Sequence, residues 1–172
     1  MHKAYFDASY DWNKGIAALA YVIYNHKGKV IDEAVYMTRT DDSNEAEVIA
    51  LIKLLKRLRV LGVRDVSIYG DNKGVIETAN GQKLDGKNRE KYNMIIELTK
   101  GFGHVCFDWI SRKYNKVADS LTRREKKLII TTGSLVAMGK RNKNKINTYQ
   151  TTPKYFDYNF RYKESRRRVF TR

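Results

Sequence analysis

The sequence predicts an α/β fold, a mixed five-stranded sheet flanked by helices, followed by a basic C-terminal extension. Three observations carry that expectation. Strand-like segments before residue 40 are joined by short turns, which marks an antiparallel half. From Ser43 the apolar period becomes helical, and the later strand-like segments are reached only through helices, which marks a parallel half. Charge is also unevenly placed. Of 34 Lys and Arg and 19 Asp and Glu, residues 123–172 hold 15 and 3, so 12 of the 15 net positive charges lie in the last 50 residues.

Lys3 to Ser9 reads as the first strand. Ile16 to Tyr24 is an unbroken apolar run rich in branched and aromatic residues, the pattern of a buried strand. Asn25-His26-Lys27-Gly28 is a turn, and Lys29 to Met37 closes a hairpin. Between Ser43 and Leu61, Val48, Leu51, Leu55 and Leu58 recur at spacings of three and four, an amphipathic helix that Gly62 stops. Asp65 to Tyr69 is a short strand and Asn72 to Ala79 a short helix, ended at Asn80-Gly81. Asn88 to Thr99 is a second long helix, Val105 to Ile110 a fifth strand, and Asn115 to Arg124 a last helix. Composition then divides the chain into residues 1–126 and an extension, residues 127–172, that fits no element of this plan.

Several classes are excluded. The longest apolar run has nine residues, too short to span a membrane as a helix. Met1-His2-Lys3 leads directly into strand-like sequence without a signal-peptide pattern. Cys106 is the single cysteine, so neither an intrachain disulfide nor a cysteine metal site can form, and a reducing, cytoplasmic compartment and a monomer are expected. The basic excess points to a polyanionic partner: nucleic acid first, an anionic membrane second, with a merely solvated tail as the bland alternative.

Four carboxylates stand in informative places. Asp7 lies inside the first strand beside Tyr5 and Phe6, where an acid is costly unless paired or bound to metal; the alternative is a strand-end Asp facing water. Glu47 shares a helical stripe with Leu51, Leu54 and Leu58; the alternative is a capping-box partner of Asn44. Asp71 ends a strand and precedes a helix, the usual ligand position in α/β sheets; the alternative is an N-cap. Asp119 opens the last helix, where an acid is also favoured by the helix dipole. Each signal is weak alone. Together they would crowd one sheet edge with charge that hard divalent cations relieve, and two such ions form a phosphodiester-cleaving arrangement.

The segments Tyr5-Phe6-Asp7-Ala8-Ser9, Asn44-Glu45-Ala46-Glu47, Tyr69-Gly70-Asp71-Asn72 and Trp109-Ile110-Ser111-Arg112, leading into Asn115-Lys116-Val117-Ala118-Asp119-Ser120-Leu121, resemble the type 1 ribonuclease H family in order and in supporting elements, over roughly residues 1 to 125. The resemblance implies a ribonuclease H-like fold and hydrolysis of the RNA strand of RNA–DNA hybrids. It implies that Asp7, Glu47, Asp71 and Asp119 are catalytic and hold two Mg²⁺ or Mn²⁺ ions. It implies substrate contacts at Asn44, near the backbone of Ala8, Ser9 and Gly15, and at Asn72, Arg112 and Asn115. Two departures stand out. Ser111 to Tyr114 contains no counterpart of the loop histidine that many members carry, and His104, at the start of the preceding strand, is out of place for that role. The stretch Asn80 to Lys87 is too short for the basic protrusion found in some members, although it carries Lys83 and Lys87.

The extension interleaves Tyr149, Tyr155, Phe156, Tyr158, Phe160, Tyr162 and Phe170 with Lys154, Arg161, Lys163 and Arg166-Arg167-Arg168. Such a segment can neutralise phosphates and stack on bases, or its Tyr155–Tyr162 alternation can pack as an edge strand. Three functions follow: a ribonuclease H; a related nuclease acting on DNA junctions or duplex RNA; or a non-catalytic nucleic-acid-binding module, disfavoured because all four candidate ligands are present.

Overall fold

The computed structural model describes residues 1–82 and 86–132, with side chains as far as Arg124. Its strands are β1 (His2–Asp11), β2 (Ile16–Tyr24), β3 (Val30–Arg39), β4 (Asp65–Gly70) and β5 (His104–Trp109). Its helices are α1 (Ser43–Val60), α2 (Lys73–Ala79), α3 (Arg89–Thr99) and α4 (Lys116–Thr132), with one short 3₁₀ turn at Arg112–Tyr114. The sheet order is β3-β2-β1-β4-β5. β1–β2 and β2–β3 pair antiparallel, β1–β4 and β4–β5 parallel. The expected mixed sheet is therefore the observed one.

β2 shows why its sequence is apolar throughout. Ala17, Leu19, Tyr21 and Ile23 face a core with α1, while Ile16, Ala18, Ala20 and Val22 pack on the opposite side with Val35, Met37 and Leu121 of α4. A strand covered on both faces has no polar side to alternate with. α1 is likewise more enclosed than an amphipathic surface helix: Val48, Leu51, Leu54, Leu55 and Leu58 are all fully buried, as is Ala46, because α3 lies over it. Gly62 ends α1 at φ +68°, with Val63 N–H bonding to Leu58 O and Gly62 N–H to Arg59 O, a Schellman closure that favours glycine.

α4 runs through Thr132, eight residues past the expected end at Arg124, so it crosses the compositional boundary at 126/127. The expectations for the aromatic and basic residues from Tyr149 to Phe170, and for Lys83, lie outside the described residues.

Candidate active site

The site forms at the carboxyl ends of the two central parallel strands. Tyr5 of β1 lies opposite Tyr69 of β4, and continuing that parallel register by two residues brings Asp7 level with Asp71. Gly70 makes the approach possible. A Cβ there would sit 2.5 Å from Cζ of Phe6, whose ring is fully buried beneath it. The residues preceding both acids are thus packed against one another.

Glu47 comes from α1. The helix is capped two residues earlier than the Asn44–Glu47 alternative requires: Asp42 is the N-cap, accepting from Glu45 N–H at 2.8 Å, and Glu45 accepts in turn from Asp41 N–H at 2.8 Å. Glu47 is released from capping and turns inward, 7% exposed. Asp71 is released in the same way, because Asn72 is the N-cap of α2 and accepts from Val75 N–H at 3.2 Å. Asp7 is 1% exposed, so it does not face water at a strand end.

Carboxylate oxygens of Asp7, Glu47 and Asp71 all lie within 4.8 Å of one another. Burial pushes the Asp7 carboxyl up to about 6, opposed by the Thr122 hydrogen bond and reinforced by Asp71 and Asp119. Burial also raises Glu47 well above the usual carboxylate range, with Asp7 and Asp71 adding to it. Asp71 is raised for the same first reason, while the Arg112 guanidinium works against the shift. Two buried acids and a half-buried third so close cannot all ionise without an added cation. Glu47 Oε2 is buried and has no hydrogen-bond partner among the described residues. An orphaned carboxylate oxygen facing two further carboxylates is the donor set a hard divalent ion takes, so the residues fit the expected metal.

Asp119 stands beside this trio rather than within it. Its Oδ1 accepts from Arg112 Nε at 3.2 Å and Nη2 at 2.9 Å, and its Oδ2 meets Arg123 Nε at 2.8 Å. Ala8 and Ser9 follow Asp7 on β1 and are half-buried, and the Ala8 backbone N–H bonds to Glu47. Gly15 turns the β1–β2 hairpin at φ +60°, and its carbonyl accepts from Thr40 N–H. Asn44 and Asn72 are hydrogen-bonded to each other across the starts of α1 and α2. Asn115 is 1% exposed, and its Nδ2 donates to Phe6 O at 2.8 Å, which places it in the wall of the site. His104 lies at the opposite end of β5, paired with Asp65, a full strand away from Trp109.

Two residues of the site escaped the sequence reading. Thr122, fully buried, donates its hydroxyl to Asp7 Oδ2 at 2.7 Å; its signal was the three-residue spacing from Asp119, which puts both on one helical face. Trp109 donates Nε1–H to the Asp71 carbonyl at 2.9 Å, bracing the strand end from β5.

Residues 5–125 match the model of the family described as reverse transcriptase-like. The chain belongs to this family. Its domain is ribonuclease H-like. It is 30% identical over 120 residues to ribonuclease HI of Halobacterium salinarum, covering 69% of this chain and 60% of that protein. It is 29% identical over 129 residues to the uncharacterised protein YpeP of Bacillus subtilis, covering 70% and 56%. The chain thus spans somewhat over half the length of these curated relatives. Among solved structures, ribonuclease H1 of Halobacterium salinarum superposes with a TM-score of 0.67 at 28% identity, covering 71% of this chain and 94% of that one. LC11-RNase H1, solved in complex with an RNA/DNA hybrid, gives 0.67 at 24% identity, covering 74% and 99%, a likeness of fold. No helix among the described residues is long and apolar enough to cross a membrane.

Proposed function

We propose that the protein is a divalent-metal-dependent endoribonuclease that hydrolyses the RNA strand of RNA–DNA hybrids. The observation that carries this reading is the convergence of Asp7, Glu47 and Asp71 within 4.8 Å, on three different elements of a ribonuclease H-like domain. Asp7, Glu47 and Asp71 would hold the metal, with Asp119 completing a second position. Bound there, two Mg²⁺ or Mn²⁺ ions would supply an activated water and counter-charge for the leaving oxygen.

The protein's own groups have defined tasks in this reading. Thr122 fixes one oxygen of Asp7, so the carboxylate enters the site in one orientation. Trp109 and the Phe6–Gly70 contact fix the end of β4, which carries Asp71. Asn115 ties the start of α4 to β1 from behind, and through the peptide before Asp7 it keeps Asp119 near that acid. Ala8, Ser9, Gly15, Asn44 and Asn72 line the approach for the nucleic acid. Arg112, with its side chain 62% exposed, is a cation whose charge acts on Asp7, Glu47 and Asp71, and it occupies the loop where a histidine is absent. The basic extension from residue 127 supplies sequence-independent attraction to phosphate.

The test is a cleavage panel on labelled hybrid, duplex DNA, duplex RNA and single-stranded RNA with Mg²⁺, Mn²⁺ or EDTA. Metal-dependent cutting of the RNA strand of the hybrid, lost in Asp71→Asn, is the expected result. A clear preference for a non-hybrid substrate would overturn the assignment of substrate, and undiminished activity in EDTA would overturn the mechanism.

A further inference from the structure

We infer that Trp12 is a stacking platform for an unpaired base of a single-stranded segment flanking the hybrid, so that the enzyme favours hybrid adjoining single strand over continuous hybrid. The inference rests on the ribonuclease H reading above and narrows its substrate class.

Trp12 stands at the tip of the β1–β2 hairpin and is 76% exposed. An indole so exposed forgoes the burial that makes large aromatic side chains stabilising, so packing does not explain it. Its support is well defined. Asp11 O accepts from Lys14 N–H at 3.3 Å and from Gly15 N–H at 2.9 Å, and Asp11 Oδ1 accepts from Asn13 N–H at 3.0 Å. Thr40 N–H donates to Gly15 O at 3.3 Å and the Tyr10 hydroxyl donates to Asp41 O at 3.1 Å, which ties the hairpin to the segment leading into α1. The Tyr10 ring meets the indole edge-to-face, with centroids 5.2 Å apart and planes at 73°. That contact sets the side on which the indole lies and covers at most one of its faces. An aromatic plane held in place beforehand binds with little ordering cost.

The same contact places the indole relative to the acids. Ala8 and Tyr10 pack on the α1 side of the sheet, and Ala8 N–H bonds to Glu47. Trp12 continues this row beyond the start of α1. Five residues of extended chain separate it from Asp7, at most about 16 Å at the rise of a strand. That is a reach of about five nucleotide steps of roughly 3.4 Å. Lys14, on the same turn, and Arg39, two strands across from Asp11, are exposed cations at this end of the sheet, and neither is ion-paired with a described residue. A plane with cations beside it is the pattern that binds single-stranded nucleic acid. Inside a duplex each base is covered by its neighbours, and a face is free only where the strand is unpaired. Every base has such a face, so the platform selects structure and not sequence.

The test uses Asp71→Asn in Mg²⁺, so that substrate is bound without being cut. Hybrids with a single-stranded RNA or DNA flank at either end are compared with a fully paired hybrid. One flanked form should bind about fivefold more tightly or better, the ratio expected of one stacked base, and the arm that does so identifies the flank. It should also quench tryptophan fluorescence by an amount missing in Trp12→Phe, where Trp109 is the remaining indole. With Trp12→Ala in the same background, the ratio of dissociation constants should fall to about one, and Trp12→Phe should retain part of it. Equal losses on flanked and continuous hybrid would mean that the ring touches the duplex, and an undiminished ratio would mean that it touches neither; both overturn the proposal. With Asp71 intact, cuts in the flanked hybrid should cluster within about five nucleotides of the junction and spread in Trp12→Ala.

The two readings fail separately. Trp12-dependent quenching by flanked hybrid in a wild-type chain that cuts no hybrid would overturn the ribonuclease H reading and leave the platform standing. Metal-dependent cutting of hybrid with no preference for a flank would overturn the platform alone.

Discussion

Arg112 donates two hydrogen bonds to a single oxygen of Asp119, at 3.2 Å from Nε and 2.9 Å from Nη2. The remaining oxygen is taken by Arg123 at 2.8 Å. The acid expected to complete the metal set is thus neutralised by the protein itself. Arg112 is largely exposed, and its charge also lowers the proton affinity of Asp7, Glu47 and Asp71. A guanidinium in this place competes with an incoming cation.

Arg112→Ala should therefore bind Mn²⁺ more tightly in the absence of nucleic acid. The pair is solvent-screened and worth about 0.2–1 kcal/mol, so calorimetric titration should show affinity increased by up to about fivefold. Affinity for hybrid should fall in the same variant, because a phosphate-directed cation is lost. Weaker Mn²⁺ binding would mean that Arg112 supports the metal site instead of opposing it.

Glu47→Gln should stabilise the metal-free protein and abolish its response to metal. The wild-type carboxylate is buried with one oxygen unpartnered and two acids beside it. The neutral amide removes that repulsion and can donate to Asp7 and Asp71. Thermal unfolding in EDTA at pH 8 should rise by a few degrees, the shift that about 1 kcal/mol produces in a domain of this size. Added Mg²⁺ should raise the midpoint of the wild type only.

The Asp7 carboxyl, at about 6 in the fold and 3.8 as an ordinary side chain, sets the sign of one pH effect. Its folded form favours the proton, so without metal its contribution to stability is complete below about 3.8 and is lost as pH rises through about 6. The full span is on the order of 3 kcal/mol. Urea denaturation in EDTA should show Asp7→Asn gaining on the wild type between about pH 4 and 6.5, with the difference level above that. Metal affinity should run the other way, rising with pH through about 6 as the proton leaves.

Gly70→Ala should unfold more readily and lose metal affinity together. The added methyl would meet Phe6 Cζ at 2.5 Å and Cε1 at 2.7 Å in a fully buried contact. Overpacking of this kind costs about 1–3 kcal/mol. Phe6→Leu should restore part of the stability in the double variant, as read by chemical denaturation.

Removing residues 133–172 keeps the described span of α4, Lys116–Thr132, and takes away eleven Lys and Arg. If the segment neutralises about five phosphates, the log–log salt slope for duplex binding should fall by about four to five units. An unchanged slope would assign the segment to something other than phosphate contact.

The order of strands and helices and the candidate acids were legible in the sequence, because periodicity, capping and turn chemistry act over a few residues; the end of α4 was not, since it runs on to Thr132. Asp7, Glu47 and Asp71 could be singled out, but each had a bland alternative that only the folded chain removed. Asp42 caps α1 and Asn72 caps α2, which leaves Glu47 and Asp71 free. The same local rules gave no notice of Thr122, 115 residues from the acid it holds, nor of Trp109 bracing Asp71. Nor did they show Asp119 bound between two arginines. By itself the sequence determined which groups are available and on which elements they ride. Only the tertiary structure decided which acids share one desolvated space and which is already paired, because proton affinity and ion pairing depend on distances through space and not along the chain.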